Sequence, residues 1–242
     1  MSNEAAELTK YAANTYLAMR IAFVNELADI CEAVGADIGE VTRGMGLDRR
    51  IGLHYLAPGP GFGGSCFPKD TRALLATTRA AGVDFDLGEA IIAANDRRKS
   101  GLPHRIAQIL GSSVAGKRIA VLGLAFKANT DDIRDGAAVP LVRDLQAAGA
   151  LVQAYDPQAM TNARRLLPAV SWCTDSYAAA QSADALVIMT EWQEFRDLDL
   201  ARLAAAMKSP VVIDFRNLFA LADAAAAGLR YFSVGRAAIT QQ

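Results

Sequence analysis

A cysteine stands at position 66 between a glycine-rich stretch and Pro68, with Lys69 and Asp70 directly behind it. Covalent catalysis through sulfur needs a cation or amide donors to steady negative charge, and a carboxylate to manage a proton or a water. Pro68 is a favoured first residue of a helix. Cys66 therefore falls where the free amide hydrogens of a helix start attract negative charge. Asp70 lies one helical turn further on and faces the same side if the helix starts promptly. Gly59, Gly61, Gly63 and Gly64 leave room ahead of the sulfur for a ligand to approach the backbone. An isolated cysteine is more often a small buried hydrophobe; the glycines around this one weigh toward chemistry.

These groups must be held by the elements on either side. From residue 4 to residue 34 there is neither proline nor glycine. Leu8, Tyr11, Ala12, Thr15, Met19, Ala22, Phe23, Leu27 and Ile30 recur there at helical steps and predict one broad apolar stripe. At ~1.5 Å per residue the helix is roughly 45 Å long, more than a small core covers. The spacing is therefore compatible with packing against a second copy of the chain, or with burial inside a larger domain. A short helix is expected over 37–43, an irregular loop over 51–68, and a helix over 68–81. A further helix over 87–110, bent near Pro103, connects the two halves. After Gly116 the pattern alternates: strands over 118–122, 151–155, 185–189, 211–214 and 231–234, with helices over 139–148, 200–207 and 218–226. Strands separated by helices require right-handed crossovers and a parallel sheet covered on both faces. The fold class read from this is α/β, with an all-helical domain over 1–98 and a doubly wound, Rossmann-like domain over 99–242.

Composition narrows the function. With 25 basic against 26 acidic side chains, no polyanion partner is indicated, so no nucleic-acid role is expected. No apolar run reaches the ~20 residues of a membrane span, and the first residues, Met1-Ser2-Asn3-Glu4, do not read as a signal peptide. Three widely separated cysteines fit a reducing cytoplasm, and neither a disulfide framework nor a metal site. Cys31 and Cys173 read as packing residues. His54 and His104 match no triad or metal spacing, though His54 lies in the glycine-rich loop.

The segment Gly61-Phe62-Gly63-Gly64-Ser65-Cys66-Phe67-Pro68-Lys69-Asp70 resembles the active-site signature of the UDP-glucose and GDP-mannose dehydrogenase family. Glu7-Leu8-Thr9-Lys10-Tyr11-Ala12-Ala13-Asn14 and Arg20-Ile21-Ala22-Phe23-Val24-Asn25-Glu26 match upstream blocks of the same family. Gly123-Leu124-Ala125-Phe126-Lys127-Ala128-Asn129-Thr130-Asp131-Asp132-Ile133-Arg134, Thr190-Glu191-Trp192 and Asp214-Phe215-Arg216-Asn217 match downstream ones. The blocks occur in the family's order and span nearly the whole chain.

The resemblance implies oxidation of the C6 hydroxymethyl of a nucleotide sugar, UDP-glucose first, to a carboxylate with two NAD+. Cys66 is then the nucleophile that forms a thiohemiacetal and a thioester. Lys10 and Asn14, one helical turn apart, are the oxyanion stabilisers, and Asp70 positions or deprotonates the hydrolytic water. Tyr55, Leu56, Ala57, Pro58, Gly59 and Gly63 match the loop that wraps the diphosphate and sugar. Phe126, Lys127 and Arg216 match nucleotide and phosphate contacts, and Arg50 an arginine that reaches the sugar site of a neighbouring subunit. Lys69 and Arg134 match residues that touch NAD+. A homodimer through the long helix is implied too.

Val121-Leu122-Gly123-Leu124-Ala125-Phe126 has one glycine where a dinucleotide fingerprint needs three. The family carries an NAD+-binding domain ahead of the long helix, and no such fingerprint occurs here. The chain alone is therefore expected to dimerise and bind a UDP-sugar while reducing little NAD+. GDP-mannose and UDP-N-acetylhexosamines are the alternative substrates, and a catalytically silent UDP-sugar-binding module is the alternative of another class. A helical 3-hydroxy-acid dehydrogenase relative shares the long helix but leaves the cysteine loop unexplained.

Overall fold

A computed structural model describes residues 1–240. The first part is helical: α1 (Asn3–Val34), α2 (Ile38–Gly46), α3 (Phe67–Ala80) and α4 (Asp86–Ile109). Ser2 caps α1 by accepting from the Ala5 amide at 3.2 Å, and Asp37 caps α2 through Gly39 at 2.6 Å. The single stripe expected on α1 resolves into two faces. Asn14, Thr15, Ala18, Ala22, Asn25, Ala28 and Cys31 are buried. Leu8, Tyr16, Phe23 and Ile30 are each at least 50% exposed. Small and short polar residues line the inner face because α1 is tied there by side-chain bonds to its neighbours. Thr15 meets Thr71 of α3 at 3.4 Å, and Arg97, Arg98 and Arg105 of α4 pair with Glu26, Asp29 and Glu32.

The second part runs β1 (Arg118–Leu122), α5 (Ala138–Ala147), β2 (Leu151–Tyr155), α6 (Met160–Arg164), β3 (Ser171–Trp172), α7 (Ser176–Ala180), β4 (Ala185–Ile188), α8 (Gln193–Arg196), α9 (Leu200–Ala206), β5 (Val211–Asp214), α10 (Leu221–Ala226) and β6 (Arg230–Phe232). All five strand pairings are parallel, in the order β3-β2-β1-β4-β5-β6. This is the doubly wound architecture, with the chain's direction of travel reversing between β1 and β4. Strand β3 has only two residues, too short to leave a periodic signature in sequence. Every residue of β4 is buried, which is why it reads as a continuous apolar run.

Register sets where the loops emerge. Leu122 lies opposite Tyr155 on one side and Ile188 on the other, and Ile188 lies opposite Asp214. The C-terminal ends of β1, β2, β4 and β5 are therefore level. The segments that follow them, carrying Phe126, Asp156, Glu191 and Arg216, leave the sheet along one edge, where ligands of such sheets collect.

The two parts share a core. Val24, Ala28, Cys31 and Ile38 pack in one cluster with Leu102, Ile106 and the sheet. The Ile38 amide donates to the Gly235 carbonyl at 2.8 Å, and the Gly235 amide to Glu32 at 2.7 Å. Helix α4 runs through the division drawn at 98/99, so both parts are built on it. The loop ahead of α3 meets the segment after β1, where the Gly64 amide donates to the Arg134 carbonyl at 2.8 Å.

Candidate active site

Cys66 occupies the N-cap position of α3, with Pro68 in the first turn; its carbonyl accepts from the Asp70 amide at 2.8 Å. Its thiol is exposed, with Ser65 Oγ 3.8 Å from the sulfur. One turn on, Asp70 is buried to 1% exposure. Its Oδ2 accepts from Asn14 Nδ2 at 2.5 Å and lies 3.6 Å from Lys10 Nζ, while Oδ1 receives the Lys69 ammonium. Burial alone would raise the Asp70 carboxyl, but the bonds from Lys69 and Asn14 and the Lys10 charge outweigh it and hold it below the usual range. The helix start thus presents a sulfur to solvent with an ionised carboxylate behind it, clamped by one amide and two ammoniums.

Buried amides and arginines fix the loop before Cys66. Asn25 Oδ1 accepts from the Gly59 amide at 2.7 Å, and Arg98 Nε donates to the Gly59 carbonyl at 3.1 Å. Asn95 brackets Phe62, accepting from its amide at 2.8 Å and donating to its carbonyl at 3.2 Å. Arg20 holds the carbonyls of Ile51 and Gly52 at 2.7 and 3.0 Å. Gly64 has φ +80°, and a Cβ there would lie 2.7 Å from the Phe126 ring; one on Gly63 would lie 2.6 Å from the Asp135 carbonyl oxygen. Those glycines bring the cysteine loop against the segment after β1.

At the sheet edge, Arg216 is the main tie. It donates to the Met189 carbonyl at 2.9 Å and the Phe126 carbonyl at 3.0 Å, and its Nε lies 3.0 Å from Glu191 Oε2. Asp214 holds the turn that carries it, accepting from the Arg216 amide at 2.7 Å, the Leu218 amide at 2.6 Å and the Tyr231 hydroxyl at 2.7 Å. Burial and the Asp214 charge push the Tyr231 hydroxyl up, so it stays a donor. Asp156 follows β2 and turns inward. Its Oδ2 accepts from the amides of Leu124 and Ala125 at 2.7 and 3.1 Å and from Trp192 Nε1 at 3.1 Å.

Between the helix start and the sheet edge lies a cleft of about 410 Å³, within the range of small-ligand sites. Lys10, Asn14 and Cys66 line one end, and Phe126, Lys127 and Arg216 come from the sheet edge. Tyr55, Ala57, Gly59 and Gly63 supply the loop wall. Asp70 is buried and does not line the cleft, but it is bound to Asn14 and Lys10, which do. Leu56 is buried, and it and Pro58 face an adjoining hollow rather than the cleft. Arg50 points away, its side chain 88% exposed and paired with Asp48 at 2.5 Å. Lys69 and Arg134 are exposed and bound to Asp70 and Asp132, and neither lines the cleft. His54 is exposed on the loop. Cys31 is buried and Cys173 partly so.

Sequence reasoning quoted Glu191, which lines the cleft, and Asn25 within matching blocks but gave them no role, and it assigned none to the framework residues Asn95 and Asp156. The signal for Glu191 was its place at the end of a buried strand, beside Thr190 and Trp192.

The same edge does not make a dinucleotide cradle. Gly123 has φ +92°, but a Cβ on it would meet Thr190 at 2.5 Å, so this glycine serves strand packing. The Leu124 and Ala125 amides are consumed by Asp156, and α5 begins only at Ala138, without a side-chain cap. A pyrophosphate finds no free amides at this turn. Among the described residues no group of three or more His, Cys, Asp or Glu side chains could hold a metal ion. No helix among them is long and apolar enough to cross a membrane.

Comparison with known proteins places the site in context. Residues 4–97 match the central domain of the UDP-glucose/GDP-mannose dehydrogenase family, and residues 120–220 match that family's UDP binding domain. The chain is 51% identical over 231 residues to UDP-glucose 6-dehydrogenase of Rhizobium meliloti, covering 96% of this chain and 53% of that protein. It is 48% identical to UDP-glucose 6-dehydrogenase TuaD of Bacillus subtilis, covering 98% and 51%. Among solved structures, a UDP-glucose dehydrogenase from Pyrobaculum islandicum superposes with a TM-score of 0.86 at 36% identity, covering 98% of this chain and 52% of that one. The chain thus spans about half the length of the relatives it matches.

Proposed function

Because the chain belongs to the UDP-glucose/GDP-mannose dehydrogenase family, we propose that it carries the nucleotide-sugar site and the nucleophile for oxidising UDP-glucose to UDP-glucuronate. The observation that supports this reading is one cleft with an exposed sulfur, an ammonium and an amide at one end and an aromatic ring and two cations at the other.

In this reading, Phe126, Lys127 and Arg216 take the UDP moiety, and the loop from Tyr55 to Gly63 wraps the diphosphate and sugar, bringing C6 of glucose to Cys66. NAD+, when bound, would accept one hydride at each of the two oxidations; no cradle for its pyrophosphate exists in this sheet. The first oxidation takes the alcohol to the aldehyde. The Cys66 sulfur then adds to the carbonyl carbon, and Lys10 and Asn14 stabilise the oxygen that gains charge. Loss of a second hydride converts the thiohemiacetal to a thioester. Water displaces the sulfur as thiolate and leaves the carboxylate, with its two protons passing to solvent. Asp70, kept ionised by its neighbours, holds Asn14 and Lys10 in place and acts on that water through them. Lys69 and Arg134 are the proposed contacts to NAD+.

The exposed face of α1, with Leu8, Tyr16, Phe23 and Ile30, is the proposed surface for a homodimer, in which Arg50 would serve the neighbour's site. The cytoplasm is the proposed compartment. The test is calorimetry of the chain with UDP-glucose, GDP-mannose and UDP-N-acetylmannosamine. One-to-one binding is expected, tightest for UDP-glucose. Failure to bind any UDP-sugar would overturn the reading.

A further inference from the structure

Among the described residues, Glu191 is the one acidic residue lining a cleft whose cations are Lys10, Lys127 and Arg216. It leaves the end of β4, the strand that lies between β1 and β5 in the sheet. Its Oε2 is buried and accepts no hydrogen bond. Arg216 Nε lies 3.0 Å from that oxygen, but the same nitrogen donates to the Met189 carbonyl at 2.9 Å. The ion pair therefore fixes Oε2 and balances the charge, while the side chain as a whole is 31% exposed and lines the cleft, so its other oxygen is the one a ligand can reach. A carboxylate oxygen facing a cleft for a polyanion can meet only the donor groups of that ligand.

Resting on the nucleotide-sugar reading above, three kinds of donor are available. The glucose hydroxyls belong to the other end of the cleft, where Cys66, Lys10 and Asn14 arrive from α1 and the start of α3. The N3–H of uracil is flanked by two carbonyl oxygens, which repel an approaching carboxylate. The vicinal hydroxyls of the ribose carry no such flank, and a single carboxylate oxygen can accept from them. In dinucleotide-binding sheets an acid after a strand plays that part. Here Asp156, the acid after β2, is turned inward and consumed by backbone amides, which leaves the role open at this edge. We propose that Glu191 accepts hydrogen bonds from the ribose diol of the bound nucleotide and makes the site selective for ribonucleotides over deoxyribonucleotides.

The test is calorimetry of the wild-type chain, Glu191→Gln and Glu191→Ala with UDP, 2′-deoxy-UDP and 3′-deoxy-UDP. Wild-type protein is expected to bind UDP about tenfold or more tighter than either deoxy ligand, as befits a hydrogen bond to a charged group. In Glu191→Ala that ratio falls to near one, and Glu191→Gln keeps part of it. Equal loss of affinity for all three ligands in the variants would mean that Glu191 acts only by steadying Arg216, and overturns the proposal. So does a wild-type protein that binds UDP without discriminating the deoxy forms; that series decides the matter even if a variant fails to fold. A wild-type protein that binds no UDP at all overturns the nucleotide-sugar reading and this inference with it.

Discussion

Asn14 and Asp70 meet at 2.5 Å although 56 residues separate them in sequence. This contact joins the long first helix to the helix that begins at Cys66, so the position of Lys10 and Asn14 relative to the sulfur depends on it. Asp70 is almost wholly buried, and Lys69 and Lys10 complete its charge balance.

A carboxyl held below its ordinary value of 3.8 contributes stability that is present above the unfolded value and lost as pH falls through the folded one. Asp70 is therefore expected to add to the acid sensitivity of the fold. Asp70→Asn keeps an acceptor for Asn14 but loses the charge. Urea titrations should show wild-type stability falling more steeply than the variant's below about pH 4. Parallel acid limbs for the two proteins would contradict the assignment.

Cys66 is exposed, whereas Cys31 is buried and Cys173 is partly covered. Iodoacetamide is expected to add one label to the native protein, at Cys66, and UDP-glucose to slow that reaction. Peptide mass spectrometry locates the adduct. Cys66→Ser should remain unlabelled under the same conditions while keeping its affinity for UDP.

Gly64→Ala places a methyl at a left-handed backbone position, 2.7 Å from the Phe126 ring. The strain and overlap should cost roughly 1–4 kcal/mol in denaturant unfolding. Because Phe126 must move, UDP affinity should fall as well. Gly52, also left-handed but with open space around it, is the comparison site: Gly52→Ala should cost less stability and leave UDP affinity nearly unchanged.

Arg216→Lys retains a positive charge but not a fork that reaches the Met189 and Phe126 carbonyls together. A loss of about 1–3 kcal/mol in stability is expected, with UDP binding weakened roughly tenfold or more. Calorimetry and thermal melting read the two effects separately. Unchanged affinity would show that charge alone suffices at this position.

Much of this was legible beforehand. The β/α alternation after Gly116 located five of the six strands, because buried parallel strands read as short apolar runs between helices. The cysteine loop stood out because its glycines have no helical or strand explanation. The two-residue β3 did not, since nothing periodic fits in so short a piece. The framework side chains Asn25, Asn95 and Asp156 were given no role because a polar residue bonded to distant backbone looks, in sequence, like any solvated one. Arg50 was singled out by its motif, but within this chain it pairs with Asp48 and faces solvent.

The order of residues along the chain determined which groups share an element: Lys10 with Asn14, Cys66 with Asp70, and the apolar runs that become a parallel sheet. Local geometry repeats at fixed intervals, so spacing alone sets those partnerships. Tertiary packing decided which face of α1 turns inward, that Asp156 is spent inside the fold while Glu191 opens to the cleft, and that Arg216 ties β4 to β5. Those outcomes depend on contacts between residues far apart in sequence, where burial and hydrogen-bond balance, and not periodicity, select the arrangement.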